Sequence, residues 1–194
     1  MSNQLVLVRH GETKWSITGQ HTGRTDIPLT EHGREEARVV GKALAGRTFA
    51  WVLSSPLSRA LETCRLAGRG DDVETTEDLL EWDYGQYEGL TTADIRAKNP
   101  RWSLWMDGVP GGEAATDVAA RADRVIEEAR EQEGDVLLFA HGHLLRVLTA
   151  RWLGLGPSEG RLFALDPATL STLGYERETA VIVHWNVSAH EVTP

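Results

Sequence analysis

Four apolar runs of four to six residues punctuate the chain: Gln4–Val8, Ala50–Leu53, Asp135–Ala140 and Ala180–Trp185. Each is too short for a stable helix and suits a buried strand. Between them lie longer segments with apolar residues spaced for one helical face. Thr30 opens the first of these, with Ala37, Val40 and Leu44 aligned. Ser55 as N-cap and Pro56 as first helical residue open the second, with Leu57, Leu61 and Cys64 on one face. A third begins near Thr116, aligns Val118, Ala122, Val125 and Ala129, and stops at Gly134; a fourth follows His141 and ends by Gly154–Pro157. Strands alternating with helices predict an α/β fold: a three-layer α/β/α sandwich around a mostly parallel sheet. The stretch 76–113 breaks the rhythm. It is rich in Trp, Gly and Pro, and its one short helix is expected at Thr92–Lys98. At 194 residues the chain fits a single domain, 1–194, with 76–113 as a lid or insertion over the strand ends.

Composition narrows the partners. A net charge of -9 argues against nucleic acid or an anionic membrane as a partner, and requires any phosphate site to be locally basic. The lone Cys64 excludes an internal disulfide framework and a multi-thiolate metal site. No run approaches the roughly 20 apolar residues of a membrane span, and the run before Arg9 is too short for a signal peptide. The expectation is a cytoplasmic protein.

In open α/β sheets ligands sit at the carboxyl ends of strands. Here the first run leads into Arg9-His10-Gly11-Glu12-Thr13, the second into Ser54-Ser55-Pro56 and then Arg59, the third into His141-Gly142-His143. With those strands parallel, two guanidinium groups and two imidazoles converge, a set suited to a phosphoryl group. Helix N-termini after Ser55 and His141 would add partial positive charge. Other phosphatase chemistries lack their motifs: Cys64 is not followed by a C-x5-R loop, and no Gly-Lys-Ser/Thr triplet occurs. His141, His143 and His10 could be read as metal ligands, but no carboxylate cluster accompanies them.

Arg9-His10-Gly11-Glu12-Thr13 resembles the signature of the histidine phosphatase superfamily, the phosphoglycerate mutase-like proteins. The resemblance continues through Trp15, Thr22-Gly23, Asp26, Leu29-Thr30 and Gly33. It resumes at Ser54-Ser55-Pro56-Leu57 with Arg59, then at Glu81, Tyr84-Gly85 and Glu88-Gly89, and closes with Ala140-His141-Gly142 and Arg146. It implies a phosphoglycerate mutase-like sandwich and a metal-independent phosphomonoesterase with no cofactor. His10 would be phosphorylated, and Arg9, Arg59 and His141 would hold the phosphoryl oxygens. Glu81 would serve as general acid and base, kept neutral by burial beside Trp82 or Tyr84, with Asp83 or Glu88 as the next candidates. Ser16, Thr22, Gly23, Tyr84 and His143 would contact the substrate, a small phosphorylated metabolite.

Two alternatives stand beside hydrolysis: a cofactor-dependent phosphoglycerate mutase and a catalytically silent phosphate-binding protein. Mutases would carry a long insertion with paired arginines after Tyr84. Here Leu90–Glu113 is short, its basic residues are Arg96, Lys98 and Arg101, and Ser16 stands where mutases have Asn. The runs Thr18–Gly23 and Glu81–Gly89 look like the bacterial broad-specificity acid phosphatases and the sedoheptulose-1,7-bisphosphatase-like proteins. Gly112-Glu113-Ala114 replaces the more usual Gly-Glu-Ser, removing a hydroxyl from a potential substrate contact. The choice of ester and the oligomeric state stay open, with a homodimer among the possibilities.

Overall fold

The computed structural model describes residues 4–191; the outermost residues of the expected 1–194 domain lie outside them. In chain order the elements are β1 (Leu5–Arg9), α1 (Lys14–Thr18), α2 (Glu31–Ala43), β2 (Trp51–Ser54), α3 (Ser58–Leu66), β3 (Val73–Thr75), α4 (Thr92–Lys98), α5 (Leu104–Asp107), α6 (Ala115–Arg130), β4 (Val136–Ala140), α7 (Gly142–Trp152), β5 (Thr169–Glu176) and β6 (Thr179–Ser188). The strands form one six-stranded sheet in the order β3-β2-β4-β1-β5-β6. β1, β2, β3 and β4 run parallel, while β5 lies antiparallel to both β1 and β6. The parallel part matches the expectation, and the antiparallel edge makes the sheet mixed.

Alternate residues of the central strands feed two cores, because successive side chains of a strand point to opposite faces. Val6, Val8, Leu137 and Phe139 pack with Val40 and Leu44 at α2 and Cys64 of α3. Leu5, Leu7, Leu138 and Ala140 pack with Val118, Ala122 and Val125 of α6 and with Leu144, Leu145 and Leu148 of α7. Two helical layers around one sheet therefore follow from the alternation, each buried aliphatic side chain contributing about 1.5–3 kcal/mol.

Two expectations need correction. Ser55 does not cap α3: the helix begins at Ser58 with Leu57 at the N-cap position, and Ser58 donates from backbone N and Oγ to Asp26 Oδ1 (2.9 and 2.8 Å). The residue before a proline is disfavoured in helical geometry, which keeps Ser55 outside the helix. The 76–113 stretch holds more than one short helix: besides α4 it contains α5 and single 3-10 turns at Glu77–Leu79 and Gly85–Tyr87. Its Leu79, Trp82, Tyr84, Ile95, Trp102 and Leu104 are buried in the same core as α6 and α7.

The parallel register sets up the site. Arg9 pairs with Ala140 and Ser54 with Phe139, so the carboxyl ends of β1, β2 and β4 finish level, and His10, Ser55 and His141 start side by side.

Candidate active site

At that edge lies a cavity of about 260 Å³. Arg9, His10, Ser16, Thr22, Glu81, Tyr84 and His143 line it, as expected from the sequence; Arg59, His141 and Gly23 do not, and form the layer beneath. Arg146, His21, Gln20 and Thr92 also line it.

His10 is buried, and its Nδ1 lies 2.8 Å from the Gly11 carbonyl. A carbonyl only accepts, so Nδ1 carries the proton and Nε2 keeps a free lone pair. Burial first, then the charges of Arg59 and Arg9, hold the imidazole well below its usual 6.5. It is therefore neutral over the range in which most metabolites are handled. Arg9 donates from Nη1 to the Leu165 carbonyl, while its buried Nε is the one side-chain N/O atom of its kind without a partner among the described residues. Gly142 packs its backbone on that guanidinium: a Cβ there would sit 3.4 Å from Arg9 Cζ.

His141 is packed edge-on to His10, with ring centroids 5.2 Å apart. Arg59 Nε donates to His141 Nδ1 (3.2 Å), so the ring's proton sits on Nε2, 2.8 Å from Ser55 Oγ. Burial, then Arg59, keeps this ring neutral as well. Arg59 is fully buried and is spent on the protein: Nη1 donates to the Thr25 carbonyl, Nη2 to those of Thr22 and Gly23. It acts on the cavity through its charge and through His141. Gly23, expected at the substrate, instead supplies a carbonyl to Arg59 and its N–H to Glu88 Oε1 (2.8 Å).

The surroundings of Glu81 differ from the apolar pocket expected beside Trp82 and Tyr84. Oε1 accepts from the backbone N–H of Trp82 and of Leu144 (2.9 Å each), and Oε2 from that of His143 (3.0 Å). Two of these donors belong to the first turn of α7, so the carboxylate caps that helix from outside the element. Both helix N-termini expected to receive a phosphate thus already hold carboxylates: Glu81 at α7 and Asp26 at α3.

Burial, reinforced by Glu81 and Glu88, pushes the Tyr84 phenol well above 10, so it remains a donor, and its hydroxyl lies 2.6 Å from His143 Nδ1. His143 is held well below 6.5 by burial and by Arg146, which leaves a neutral ring with its proton on Nε2. His21 is lowered to about 4 by burial and stacks against Tyr84 at 4.7 Å. Ser16 lines the cavity with its hydroxyl engaged: Oγ donates to the Thr13 carbonyl and accepts from Thr13 N (2.9 Å each), capping α1. Arg146, quoted in the sequence only as part of a motif, lies over the Trp105 ring at 4.7 Å and donates to the Gly160 and Arg161 carbonyls. Ala114 is the N-cap position of α6, outside the cavity lining, so the missing hydroxyl is a lost helix cap and not a lost substrate contact. Among the described residues no three His, Cys, Asp or Glu side chains are grouped to hold a metal, and no helix is long and apolar enough to cross a membrane.

Comparison with known proteins agrees with this geometry. The model of the histidine phosphatase superfamily (branch 1) matches residues 5–188. The acid phosphatase of Mycobacterium tuberculosis is 42% identical over 93% of this chain and 92% of its own. The sedoheptulose 1,7-bisphosphatase of Saccharomyces cerevisiae is 34% identical over 80% of this chain and 69% of its own. A 2,3-bisphosphoglycerate-dependent phosphoglycerate mutase of Parvibaculum lavamentivorans is 38% identical over 91% of each. A solved structure of an open reading frame from Mycobacterium tuberculosis superposes with a TM-score of 0.92 at 39% identity, covering 97% of this chain and 99% of that one.

Proposed function

Because the chain belongs to the histidine phosphatase superfamily, we propose that it is a phosphomonoesterase that hydrolyses small phosphorylated metabolites through a phosphohistidine on His10. The observation that carries this reading is the tautomer of His10. With Nδ1–H held by the Gly11 carbonyl, the nucleophilic lone pair is on Nε2 of a neutral ring. Arg9, with a buried donor to spare beside it, is the ligand for the phosphoryl oxygens. Arg59 adds its charge from beneath, on a guanidinium held by His141, whose Nε2–H is taken by Ser55 Oγ.

In the first step Nε2 of His10 bonds to phosphorus as the ester P–O bond breaks, and the departing oxygen takes a proton from Glu81. In the second, water attacks phosphorus, gives its proton to Glu81, and the N–P electron pair returns to Nε2. Three backbone amides hold the Glu81 carboxyl group at the start of α7, on the wall of the cavity. The proton for the first step arrives with the substrate, since a phosphate monoester titrates near pH 6. Mildly acid conditions, pH about 5–7, supply both the substrate monoanion and a neutral His10.

Hydrolysis is favoured over the mutase reading, which relatives such as the Parvibaculum enzyme keep in play. Arg96, Lys98 and Arg101 lie outside the cavity lining, so the 90–113 stretch brings no cation to a second anionic group. The test is a phosphate-release screen over sugar phosphates, phosphoglycerates and nucleotides, with and without chelator. It is run beside isomerisation of 3-phosphoglycerate primed with 2,3-bisphosphoglycerate. Phosphate release should exceed isomerisation; the reverse ranking would select the mutase.

A further inference from the structure

Arg59 is aimed by a loop. Its Nη1 donates to the Thr25 carbonyl (3.0 Å) and its Nη2 to the carbonyls of Thr22 (3.1 Å) and Gly23 (2.9 Å), while Nε reaches His141. Residues 22–25 belong to no helix or strand, so something else must turn three of their carbonyls toward one guanidinium. Glu88 does so. Its Oε1 accepts from the Gly23 N–H (2.8 Å) and the Thr25 N–H (3.1 Å), gripping the loop by its amides while Arg59 takes its carbonyls. Gly23 fits tightly in this grip: a Cβ there would lie 2.6 Å from both Glu88 Oε2 and the Trp82 carbonyl oxygen.

We propose that Glu88 is a positioning residue for phosphoryl transfer: by clamping the amides of Gly23 and Thr25 it fixes the carbonyls that aim Arg59 at His141. The chain of contacts runs Glu88, loop 22–25, Arg59 and His141, whose ring bonds Ser55 and packs edge-on against His10. The inference rests on the reading of His10 as nucleophile, but its test does not depend on activity alone. Release of the clamp lets Arg59 leave His141 Nδ1, and both imidazoles lose the cation that helps keep them unprotonated. The other titratable and charged groups facing them stay in place: Arg9 at His10; Arg9, Arg121 and His10 at His141; Glu81, Asp26 and the neutral Tyr84 phenol at Arg59.

Glu88→Gln retains one oxygen for the two amides and removes the charge; Glu88→Ala removes both. The clamp predicts that Glu88→Gln keeps most of kcat. Glu88→Ala loses roughly 10²-fold, and the acid limb of its kcat/KM profile moves up by roughly one pH unit. Nitrogen-15 NMR of the two rings should show the same upward titration shift in Glu88→Ala and loss of the single Nε2–H tautomer of His141. If Glu88→Ala does not fold, Glu88→Asp, one methylene short of the amides, should give the shift. Equal loss of kcat in Glu88→Gln and Glu88→Ala would overturn the proposal. So would wild-type imidazole titration in a folded Ala or Asp variant, because a merely structural role lowers stability without moving those rings. A wild-type protein with no phosphatase activity would refute the proposed function, while the NMR titration would still decide the clamp.

Discussion

Replacing Glu81 by Gln separates its two duties, because the structure distinguishes its oxygens. Oε1 carries two amide donors, Trp82 and Leu144, and Oε2 carries one, His143. A glutamine places its single oxygen at the pair and turns its NH2 toward the His143 N–H, donor against donor. That leaves a part-buried amide unpaired and removes a charge from the first turn of α7, a loss of about 1–3 kcal/mol. For a chain of this length each kcal/mol is roughly 2–4 °C, so Tm should fall by roughly 2–12 °C. The kinetic loss is larger and selective. Esters with poor leaving groups, such as sugar phosphates, should slow by roughly 10²–10⁴-fold. p-Nitrophenyl phosphate should be spared, since nitrophenolate departs with little need of a proton. The assay is kcat for both esters on protein shown to be folded at the assay temperature. Equal losses on both would refute the role of Glu81 as proton donor.

Ala114→Ser should restore a side-chain acceptor at the N-cap of α6, where only the reciprocal bond from Ala114 N to Asp117 Oδ2 (2.8 Å) is present. The gain expected in denaturant titration is about 0.5–2 kcal/mol with unchanged kcat/KM; no gain would refute the cap assignment. Stability should also fall as pH drops below about 6.5. The rings of His10, His21, His141 and His143 all titrate lower in the folded state, so the unfolded chain binds more protons there. His21, lowered to about 4, contributes about 1.4 kcal/mol per pH unit below 6.5 and reaches roughly 3 kcal/mol; the other three rings act in the same direction. Urea midpoints from pH 7 to 4 check the slope, and a flat profile would contradict the neutral burial of these rings.

The parts of the fold legible in the sequence are those where one principle acts alone. The apolar runs of β1, β2 and β4 are buried on both faces and nothing competes with that signal. β5 was hidden because its buried positions include Thr169, Ser171 and Thr172, made tolerable by local bonds such as Thr169 Oγ1 to the Asp166 carbonyl (2.7 Å). Its hairpin to β6 turns at Arg177, which holds a φ of 57° without the glycine or asparagine that marks such turns. β3 is three half-exposed or exposed residues and has no pattern to read.

The site divides in the same way. Side chains at strand ends could be gathered from sequence because the parallel register brings those ends level. Their layering could not, since it depends on backbone acceptors. Carbonyls of 22–25 draw Arg59 under the floor, and the Leu165 carbonyl holds Arg9 at the surface of the cavity. Amide donors from α7 likewise decide the surroundings of Glu81, and the pairing of Ser55 with His141 crosses from β2 to β4. Arg146 was within reach of sequence reasoning, lying early in the helix that follows His141.

In the proposed reaction a single ring nitrogen, Nε2 of His10, carries the phosphoryl group. Rapid denaturing quench of the enzyme during turnover of a labelled ester, followed by mapping and phosphorus NMR of the acid-labile adduct, tests it most directly. Because His10 Nδ1–H is held by the Gly11 carbonyl (Nδ1···O 2.8 Å), phosphate is expected on Nε2 of His10, with no label in His10→Ala. Phosphate on Nδ1, phosphate on another residue, or undiminished turnover in His10→Ala would contradict it.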